Sequence, residues 1–187
     1  VMAARQPGSS FKPYLYSAAL DTGFTTASII NDAPVVLPDP SKPGGVWTPS
    51  NDDGKFAGPM RLREALVQSK NLVSVRLLGA LGIQYVRDYA SRFGFSLDQL
   101  PPNMSLALGN ASVSPMNMAR GYAVFANGGF LIEPYFIASI DNREGKPVFV
   151  ADPPDACRNC EARLLQNPDQ VDDVSEQPAV ASSAQLP

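Results

Sequence analysis

Histidine is absent from this chain of 187 residues, and cysteine and tryptophan are scarce, at two and one. The lack of histidine removes the usual base of a serine catalytic triad and the commonest zinc ligand. Any serine nucleophile here therefore needs another base. With two cysteines and no histidine, a four-ligand zinc site would require groups from a second chain. We predict neither a metal nor any other cofactor.

A surplus of positive charge and long apolar runs are also missing. The chain has 15 basic and 18 acidic residues, so no excess of positive charge favours binding to the phosphate backbone of a nucleic acid. We therefore exclude nucleic acid as a partner. No run reaches the roughly 18 apolar residues that cross a bilayer, and the first residues lack the basic-then-apolar order of a signal peptide. Apolar residues still make up 44% of the chain, enough for one domain with a sizeable core.

Two segments of the chain differ in composition. Residues 152–187 are acidic, rich in proline, serine and glutamine, and poor in large apolar side chains. Burying so few apolar groups would not offset the conformational entropy that the segment loses on folding. We predict a partial domain over residues 1–151 and a mobile segment over residues 152–187. The strongest catalytic candidate stands only eight residues after Val1, so we expect the chain to be a fragment.

Helical spacing of apolar residues recurs between stretches rich in proline and glycine. The predicted helices are residues 9–20 with Ser9 as the cap, a pair that meets near Ser69, residues 83–92, and residues 114–127 with Ser114 as the cap. Residues 31–60 hold many prolines and glycines and predict a long loop, of a kind that is usually functional or held down by its own packing. Residues 130–140 and 147–150 are typical of two strands joined by a turn. These patterns predict helices plus a hairpin.

Ser9 and Lys12 are the first pair that could carry chemistry. In a helix that begins at Ser9, positions i and i+3 share a face, so the hydroxyl and the amine can approach to about a hydrogen bond. Burial and the positive end of the helix favour a neutral lysine, which could accept the serine proton in place of histidine. Backbone N–H groups at the same helix start would offer an oxyanion site. The spacing alone also fits a capping serine and a surface lysine.

A second polar cluster, Ser69-Lys70-Asn71, stands where two predicted helices meet. A hydroxyl and an amide at such a joint can point into a cleft without being used by helix hydrogen bonds. Ser69 could relay a proton between Lys12 and a leaving amine, and the Asn71 amide could hold a substrate peptide group. By itself the cluster also fits a helix-terminating asparagine and a serine that caps the next helix.

The order Ser-x-x-Lys followed by Ser-x-Asn is that of the penicillin-recognising serine enzymes, whose third element is a Lys-Thr-Gly strand. The stretches ARQPGSSFKPYLYSAAL, WTPSN, GPMRLREALVQSKNLVSVRLL and SVSPMNMARGYAVFANGG resemble the transpeptidase domain of bifunctional class A penicillin-binding proteins. The resemblance covers about residues 5–149. It implies the β-lactamase/transpeptidase-like α+β fold, present here mainly as its helical part plus a hairpin.

The resemblance also implies an activity and the residues that carry it. The enzyme would be a serine-type D,D-transpeptidase that crosslinks peptidoglycan stem peptides and is acylated by β-lactam antibiotics. Ser9 would be the nucleophile, Lys12 the base, Ser69 the proton relay and Asn71 the group that orients the substrate. Stem peptides and β-lactams are the implied partners. The implied location is the periplasmic face of the bacterial inner membrane, reached only through an N-terminal helix of the parent protein outside this chain.

One element of the family pattern is missing from this chain. No Lys-Thr-Gly occurs, and Gly145-Lys146-Pro147 cannot replace it because proline has neither the threonine hydroxyl nor a backbone N–H. In the family that strand binds the substrate carboxylate and supplies part of the oxyanion hole. We therefore expect this chain alone to be nearly inactive. The rest of the transpeptidase domain, which could be a companion chain, becomes an expected partner.

Cys157 and Cys160 form a CRNC pair near the end of the chain. The pair fits half of a zinc site, a redox pair, a local disulfide or two free thiols. A redox pair is expected beside a βαβ pattern, which does not precede it here. For an oxidising periplasm we predict the disulfide.

Three other functions share part of this chemistry. A β-lactam sensor would be acylated but would transfer nothing, and a non-catalytic cell-wall scaffold would form no covalent adduct. A serine β-lactamase shares the motifs but needs a way to activate the deacylating water. The fate of acyl-Ser9 in an intact domain, transferred to an amine or retained, separates a transpeptidase from a sensor.

Overall fold

The computed structural model describes residues 3–154, which fall into two compact units, one ending at Gly121 and the other beginning at Tyr122. The predicted boundary after residue 151 stays a prediction. Most of the segment predicted to be mobile lies outside the described residues. The predicted disulfide between Cys157 and Cys160 lies outside them as well.

The first unit combines helices with two small antiparallel sheets. Its helices are α1 (Lys12–Asp21), α2 (Leu62–Val67), α3 (Asn71–Leu81), α4 (Ile83–Ser91) and the first part of α5 (Pro115–Ala126). Its strands are β1 (Ile29–Asp32), β2 (Leu37–Pro38), β3 (Val46–Trp47) and β4 (Gly58–Arg61). Strand β1 pairs with β4, and β2 pairs with β3. Short 3₁₀ helices cover Gly8–Phe11, Pro43–Gly45, Leu97–Gln99 and Met104–Leu108.

Helix α1 lies at the centre of the core because few of its side chains are polar. Tyr14, Leu15 and Ala18 are fully buried, as expected for a helix that is apolar nearly all round. The Tyr14 ring meets the rings of Phe93 and Phe95 edge to face, with centroids 5.1 and 4.9 Å apart, a favoured arrangement for aromatic pairs. This packing fixes the helix whose first residue is Lys12.

The helix predicted over residues 9–20 forms, but Ser9 is not its cap. A 3₁₀ turn over Gly8–Phe11 precedes α1, and Pro7 occupies the cap position of that turn. The turn begins earlier than predicted because Gly8 adopts a left-handed φ of 59°, which glycine tolerates without strain. The Ser9 side chain is therefore not used as a cap.

The other helix predictions agree with the structure within a few residues. Helices α2 and α3 meet at Ser69, and α4 and α5 occupy the predicted segments. Ser114 caps α5 as predicted, because its Oγ accepts the backbone N–H of Asn117 at 3.1 Å. The long loop contains only short strands, as its proline and glycine content predicts.

The second unit contains the end of α5 and a hairpin of β5 (Ser139–Asp141) and β6 (Pro147–Val150), which pair antiparallel. The strand predicted over residues 130–140 was therefore too long. Pro134 interrupts that stretch and offers no backbone N–H to a ladder, which confines the strand to its last residues. Both strands of the hairpin are exposed along their length. Among residues 3–154, no helix is long and apolar enough to span a membrane.

Candidate active site

Lys12 is the centre of the candidate site and is fully buried at the start of α1. Its Nζ lies 2.7 Å from the carbonyl oxygen of Ser69, 3.0 Å from Ser69 Oγ and 2.7 Å from Asn71 Oδ1. These three acceptors match the three donors of an ammonium group. The structure thus brings together three of the predicted site residues, although 57 and 59 positions separate Lys12 from its partners in the chain.

The three partners of Lys12 suit both of its protonation states. The Ser69 carbonyl and the Asn71 amide oxygen can only accept a hydrogen bond, whereas the Ser69 hydroxyl can accept or donate. A charged Lys12 donates to all three atoms. A neutral Lys12 donates to the first two and receives the Ser69 hydroxyl proton in a hydrogen bond. The site therefore accommodates either protonation state of the amine.

The electrostatics of the site favour a neutral Lys12 more than water does. Burial removes the ammonium from water and lowers the pKa of Lys12 from 10.5 to about 8, although the negative charge of Asp52 opposes the shift. With a pKa of about 8, about a tenth of Lys12 is neutral at pH 7. This is the direction predicted from burial, and it gives the residue a usable fraction of free base.

Ser9 stands one turn before Lys12, and the Lys12 backbone N–H donates to the Ser9 carbonyl. The Ser9 side chain is exposed, so a substrate can reach its hydroxyl. Within residues 3–154, the Ser9 hydroxyl makes no hydrogen bond to Lys12, whose amine is directed at Ser69 and Asn71 instead. The direct bond expected from the spacing is therefore not formed. The neighbouring Ser10 differs, because its hydroxyl donates to the Pro7 carbonyl at 2.7 Å.

The turn that carries Ser9 is held by a second segment of backbone. Arg5 and Val113 exchange two hydrogen bonds of 2.9 and 3.1 Å, and the Gly8 N–H donates to the Gly109 carbonyl at 3.2 Å. A Cβ added to Gly109 would lie only 1.9 Å from the Gly8 carbonyl oxygen. Only glycine allows the two backbones to approach this closely. The local sequence around Ser9 gives no sign of this contact.

Ser69 occupies the joint between α2 and α3 in a strained conformation. Its φ of 53° is the only left-handed value of a non-glycine residue in the described part of the chain. Its N–H donates to the Leu66 carbonyl and that of Lys70 to the Ala65 carbonyl, the hydrogen bonds of a Schellman helix end. Glycine usually occupies this position, because a left-handed conformation is energetically less favourable for serine, which has a Cβ. Such outliers cluster at functional sites, and here the outlier carries the hydroxyl that contacts Lys12.

The Asn71 side chain is fully engaged by the protein. Its Oδ1 accepts from Lys12, and its Nδ2 donates to the Ser50 carbonyl at 2.9 Å and to Asp52 Oδ1 at 3.1 Å. These contacts orient the amide so that its oxygen faces Lys12. A substrate could receive an N–H from Asn71 only by displacing Ser50 or Asp52. The predicted substrate-orienting role of Asn71 remains a prediction.

The long loop contributes polar residues that sequence reasoning did not assign to the site. The buried Asn51 accepts the N–H groups of Asn71 and Leu72 through Oδ1 and donates to the buried Asp32 through Nδ2. Lys70 binds Asp53 at 2.9 Å, a hydrogen bond that raises the pKa of Lys70. The length of the loop was the one feature of the sequence that could have indicated these residues, because a long loop in a compact domain is usually functional.

No metal centre accompanies this arrangement in the part of the chain that the structure describes. Residues 3–154 contain no group of three carboxylate, thiol or imidazole side chains placed to hold a metal ion.

Comparison with known proteins identifies relatives of this chain among the penicillin-binding proteins. The sequence profile of the family described as "Penicillin binding protein transpeptidase domain" matches residues 1–177. Penicillin-binding protein 1A of Pseudomonas aeruginosa is 53% identical over 154 residues, which are 82% of this chain and 19% of that protein. The chain spans about a fifth of the length of the curated relatives it matches.

Solved structures resemble this chain as well. Penicillin-binding protein 1A from Haemophilus influenzae matches with a TM-score of 0.79 at 45% identity, over 84% of this chain and 23% of that one. Penicillin-binding protein A from Mycobacterium tuberculosis, in an imipenem acyl-enzyme complex, matches with a TM-score of 0.71 at 25% identity, over 81% of this chain and 39% of that one.

Proposed function

This chain belongs to the penicillin-binding protein transpeptidase domain family, and we propose that it carries part of the active site of a peptidoglycan D,D-transpeptidase. The observation that carries the proposal is the buried Lys12, shared between Ser69 and Asn71 and placed one turn after the exposed Ser9. The substrates are stem peptides that end in D-Ala-D-Ala. β-Lactams react with Ser9 in the same way as the stem peptide and leave it acylated.

Acylation begins with the transfer of the Ser9 hydroxyl proton to neutral Lys12. Ser9 Oγ forms a bond to the carbonyl carbon of the penultimate D-Ala, and the oxyanion that develops is stabilised by backbone N–H groups of the turn at Ser9. The tetrahedral centre then expels the terminal D-Ala by breaking the C–N bond. Ser69 passes the proton from Lys12 to the departing amine, which leaves an ester on Ser9 and a neutral Lys12.

The second half of the reaction reverses the proton transfers. An amine of a neighbouring stem peptide attacks the ester carbonyl and gives its proton to Lys12. The bond to Ser9 Oγ breaks, Lys12 returns a proton to that oxygen, and a new peptide bond joins the two strands. Catalytic hydrogen bonds are often long before substrate binds and tighten in the complex, which is consistent with the unformed bond between Ser9 and Lys12.

The location and partners follow from the proposed activity. Stem peptides of the cell wall lie outside the cytoplasmic membrane, so we place the site at the periplasmic face of the inner membrane, held there through the parent protein. The remainder of the transpeptidase domain supplies the Lys-Thr-Gly strand that this chain lacks. We expect the 187-residue chain alone to react poorly with a fluorescent penicillin, since removing even one oxyanion donor costs about 3–4 kcal/mol.

The test uses the natural full-length protein that contains this chain, treated with a penicillin and digested for mass spectrometry. The penicilloyl mass is expected on Ser9. The Ser9→Ala variant should form no adduct, while Ser10→Ala, which removes the adjacent exposed hydroxyl, should form it normally. An adduct on another residue, or a Ser9→Ala protein that still crosslinks, would refute the proposal.

A second readout separates a transpeptidase from a β-lactam sensor. The acyl group of a thioester or peptide donor should pass from Ser9 to an added D-amino acid in the full-length protein. An acyl-enzyme that forms but never transfers would indicate a sensor. A protein that forms no covalent adduct at all would indicate a scaffold.

A further inference from the structure

The first N–H groups of α3 are capped by a side chain that lies twenty positions earlier in the chain. A helix leaves its first four N–H groups without partners inside the helix, and a side chain just before the helix commonly accepts one of them. Here the preceding residue, Lys70, makes no such bond. Instead Asn51 Oδ1 accepts the N–H of Asn71 at 2.9 Å and that of Leu72 at 3.2 Å. Asn51, Asn71 and Leu72 are all buried, so this cap lies away from bulk water.

Asp32 fixes the orientation of the Asn51 amide. Asn51 Nδ2 donates to Asp32 Oδ1 at 2.8 Å and to the Lys55 carbonyl at 2.8 Å, so its nitrogen faces two acceptors and its oxygen must face α3. Asp32 is fully buried and also accepts the Ala57 N–H at 3.0 Å. Its second oxygen lies 3.7 Å from Lys70 Nζ. Strand β1, the long loop and the start of α3 are therefore joined through two buried side chains.

The capped end of α3 is also the end that holds the amine. Asn71, whose N–H binds Asn51, presents its Oδ1 to Lys12, and Ser69 two residues earlier presents both of its oxygens. Resting on the function proposed above, we propose that Asn51, oriented by Asp32, is a positioning residue that holds Ser69 and Asn71 at bonding distance from Lys12. It touches neither the amine nor the reacting atoms, so its effect passes through the start of α3.

The strain at Ser69 explains why such positioning is needed. A left-handed serine persists only where its surroundings determine its conformation, and the start of α3 supplies one of the two flanking supports. Without the Asn51 oxygen, two buried N–H groups would lack an acceptor, and the end of the helix would fray or shift to find one. Displacements of about 1 Å at a site can reduce rates about 100-fold, so a modest shift is enough to be measured.

The test measures the rate at which a labelled penicillin acylates the natural full-length protein across a range of pH. The same rates are then measured for variants at positions 51 and 32. Asn51→Ala should lower the second-order acylation rate about 10- to 100-fold and move the pH midpoint of acylation, because Lys12 loses its fixed partners. Asn51→Asp keeps an acceptor for α3 but sets a carboxylate against Asp32, so it should also be slow. The double variant Asp32→Asn/Asn51→Asp exchanges the amide and the carboxylate, and it should acylate faster than Asn51→Asp alone.

A matched control separates positioning from general stability. Asn142 Oδ1 likewise accepts two backbone N–H groups, those of Glu144 at 3.0 Å and Lys146 at 2.9 Å, in the turn between β5 and β6. Asn142→Ala should lower the melting temperature and leave the acylation rate and its pH midpoint unchanged. Should Asn51→Ala fail to fold, the Asn51→Asp variant and its double partner decide the question.

The outcomes also separate this inference from the function on which it rests. If the unaltered protein is acylated at Ser9 and the Asn51 variants react at the same rate with the same midpoint, the inference is wrong and the function stands. The same conclusion follows if Asn142→Ala alters the midpoint as much as Asn51→Ala does. If the unaltered protein is not acylated at Ser9, both proposals fail.

Discussion

The two segments that meet around Lys12 are held in place by different means. The turn at Ser9 is fixed mainly by backbone contacts, since Arg5 and Gly8 bind the backbone of the segment around Gly109, and one side-chain bond from Gln6 to Asn110 adds to them. The joint at Ser69 and Asn71 is fixed by side chains of the long loop, above all Asn51. One segment depends on the absence of a side chain, and the other depends on particular side chains.

This difference indicates which part of each segment is free for chemistry. Because backbone atoms hold the first segment, the Ser9 hydroxyl is left exposed and unused by the protein. In the second segment, both oxygens of Ser69 and the side-chain oxygen of Asn71 converge on one buried amine. The Ser9 hydroxyl, the proposed nucleophile, thus has freedom to approach a substrate, whereas the amine of Lys12, the proposed base, has little.

The largest effect is expected where the two segments meet. Lys12→Met keeps most of the buried volume but removes the amine, so acylation of the full-length protein should fall about 10²- to 10⁴-fold, the usual contribution of a general base. Lys42→Met, at an exposed position, serves as the control and should react normally. Stopped-flow measurement with a chromogenic β-lactam gives the rates. Normal acylation of Lys12→Met would show that another group takes the Ser9 proton.

A smaller effect is expected from disturbing the backbone contact of the first segment. Gly109→Ala would place a methyl group 1.9 Å from the Gly8 carbonyl, and overpacking of this kind costs about 1–3 kcal/mol. Gly54→Ala is the matched control, because Gly54 has a similar positive φ but no atom within 4 Å of the added Cβ. Gly109→Ala should lower both the melting temperature and the acylation rate further than Gly54→Ala does. Equal losses would mean that backbone strain alone, and not the close approach, matters.

The smallest effect is expected at the exposed edge of the second segment. Asp53 binds Lys70, but its side chain is 51% exposed, and exposed ion pairs contribute little because water and salt screen them. Asp53→Asn should therefore leave acylation nearly unchanged, in contrast to substitutions at the buried Asp32. Rates measured at low and high salt would check this. If Asp53→Asn lowered the acylation rate as much as Asn51→Ala does, the ion pair between Lys70 and Asp53, and not Asn51, would be the main support of the joint.

The sequence predicted those parts of the site that depend on local spacing. The helix that carries Lys12 and the joint at Ser69 follow from apolar periodicity and its interruption, and both are observed. The resemblance to known transpeptidases added roles that spacing alone does not supply. A burial-driven fall in the pKa of Lys12 could also be inferred in direction, because a lysine next to an apolar helix face loses water.

Contacts between distant segments were beyond such reasoning. The cap that Asn51 provides for α3 and the fit of Gly109 against Gly8 join residues about 20 and 100 positions apart, with no local pattern to indicate them. Two other errors have local causes. A left-handed Gly8 starts the turn before Ser9, and Pro134, which was visible in the sequence, should have shortened the predicted strand.

The most direct test of the central claim is a titration of Lys12 itself. Lysines labelled with ¹³C at Cε can be followed by NMR across pH in the full-length protein, with Lys12→Met used to assign the signal. The signal should titrate with a midpoint near 8, so that the amine is charged below that pH and free to accept a proton above it. A midpoint near the ordinary value of 10.5 would contradict the account, because Lys12 would then stay charged near neutral pH and could not accept the Ser9 proton.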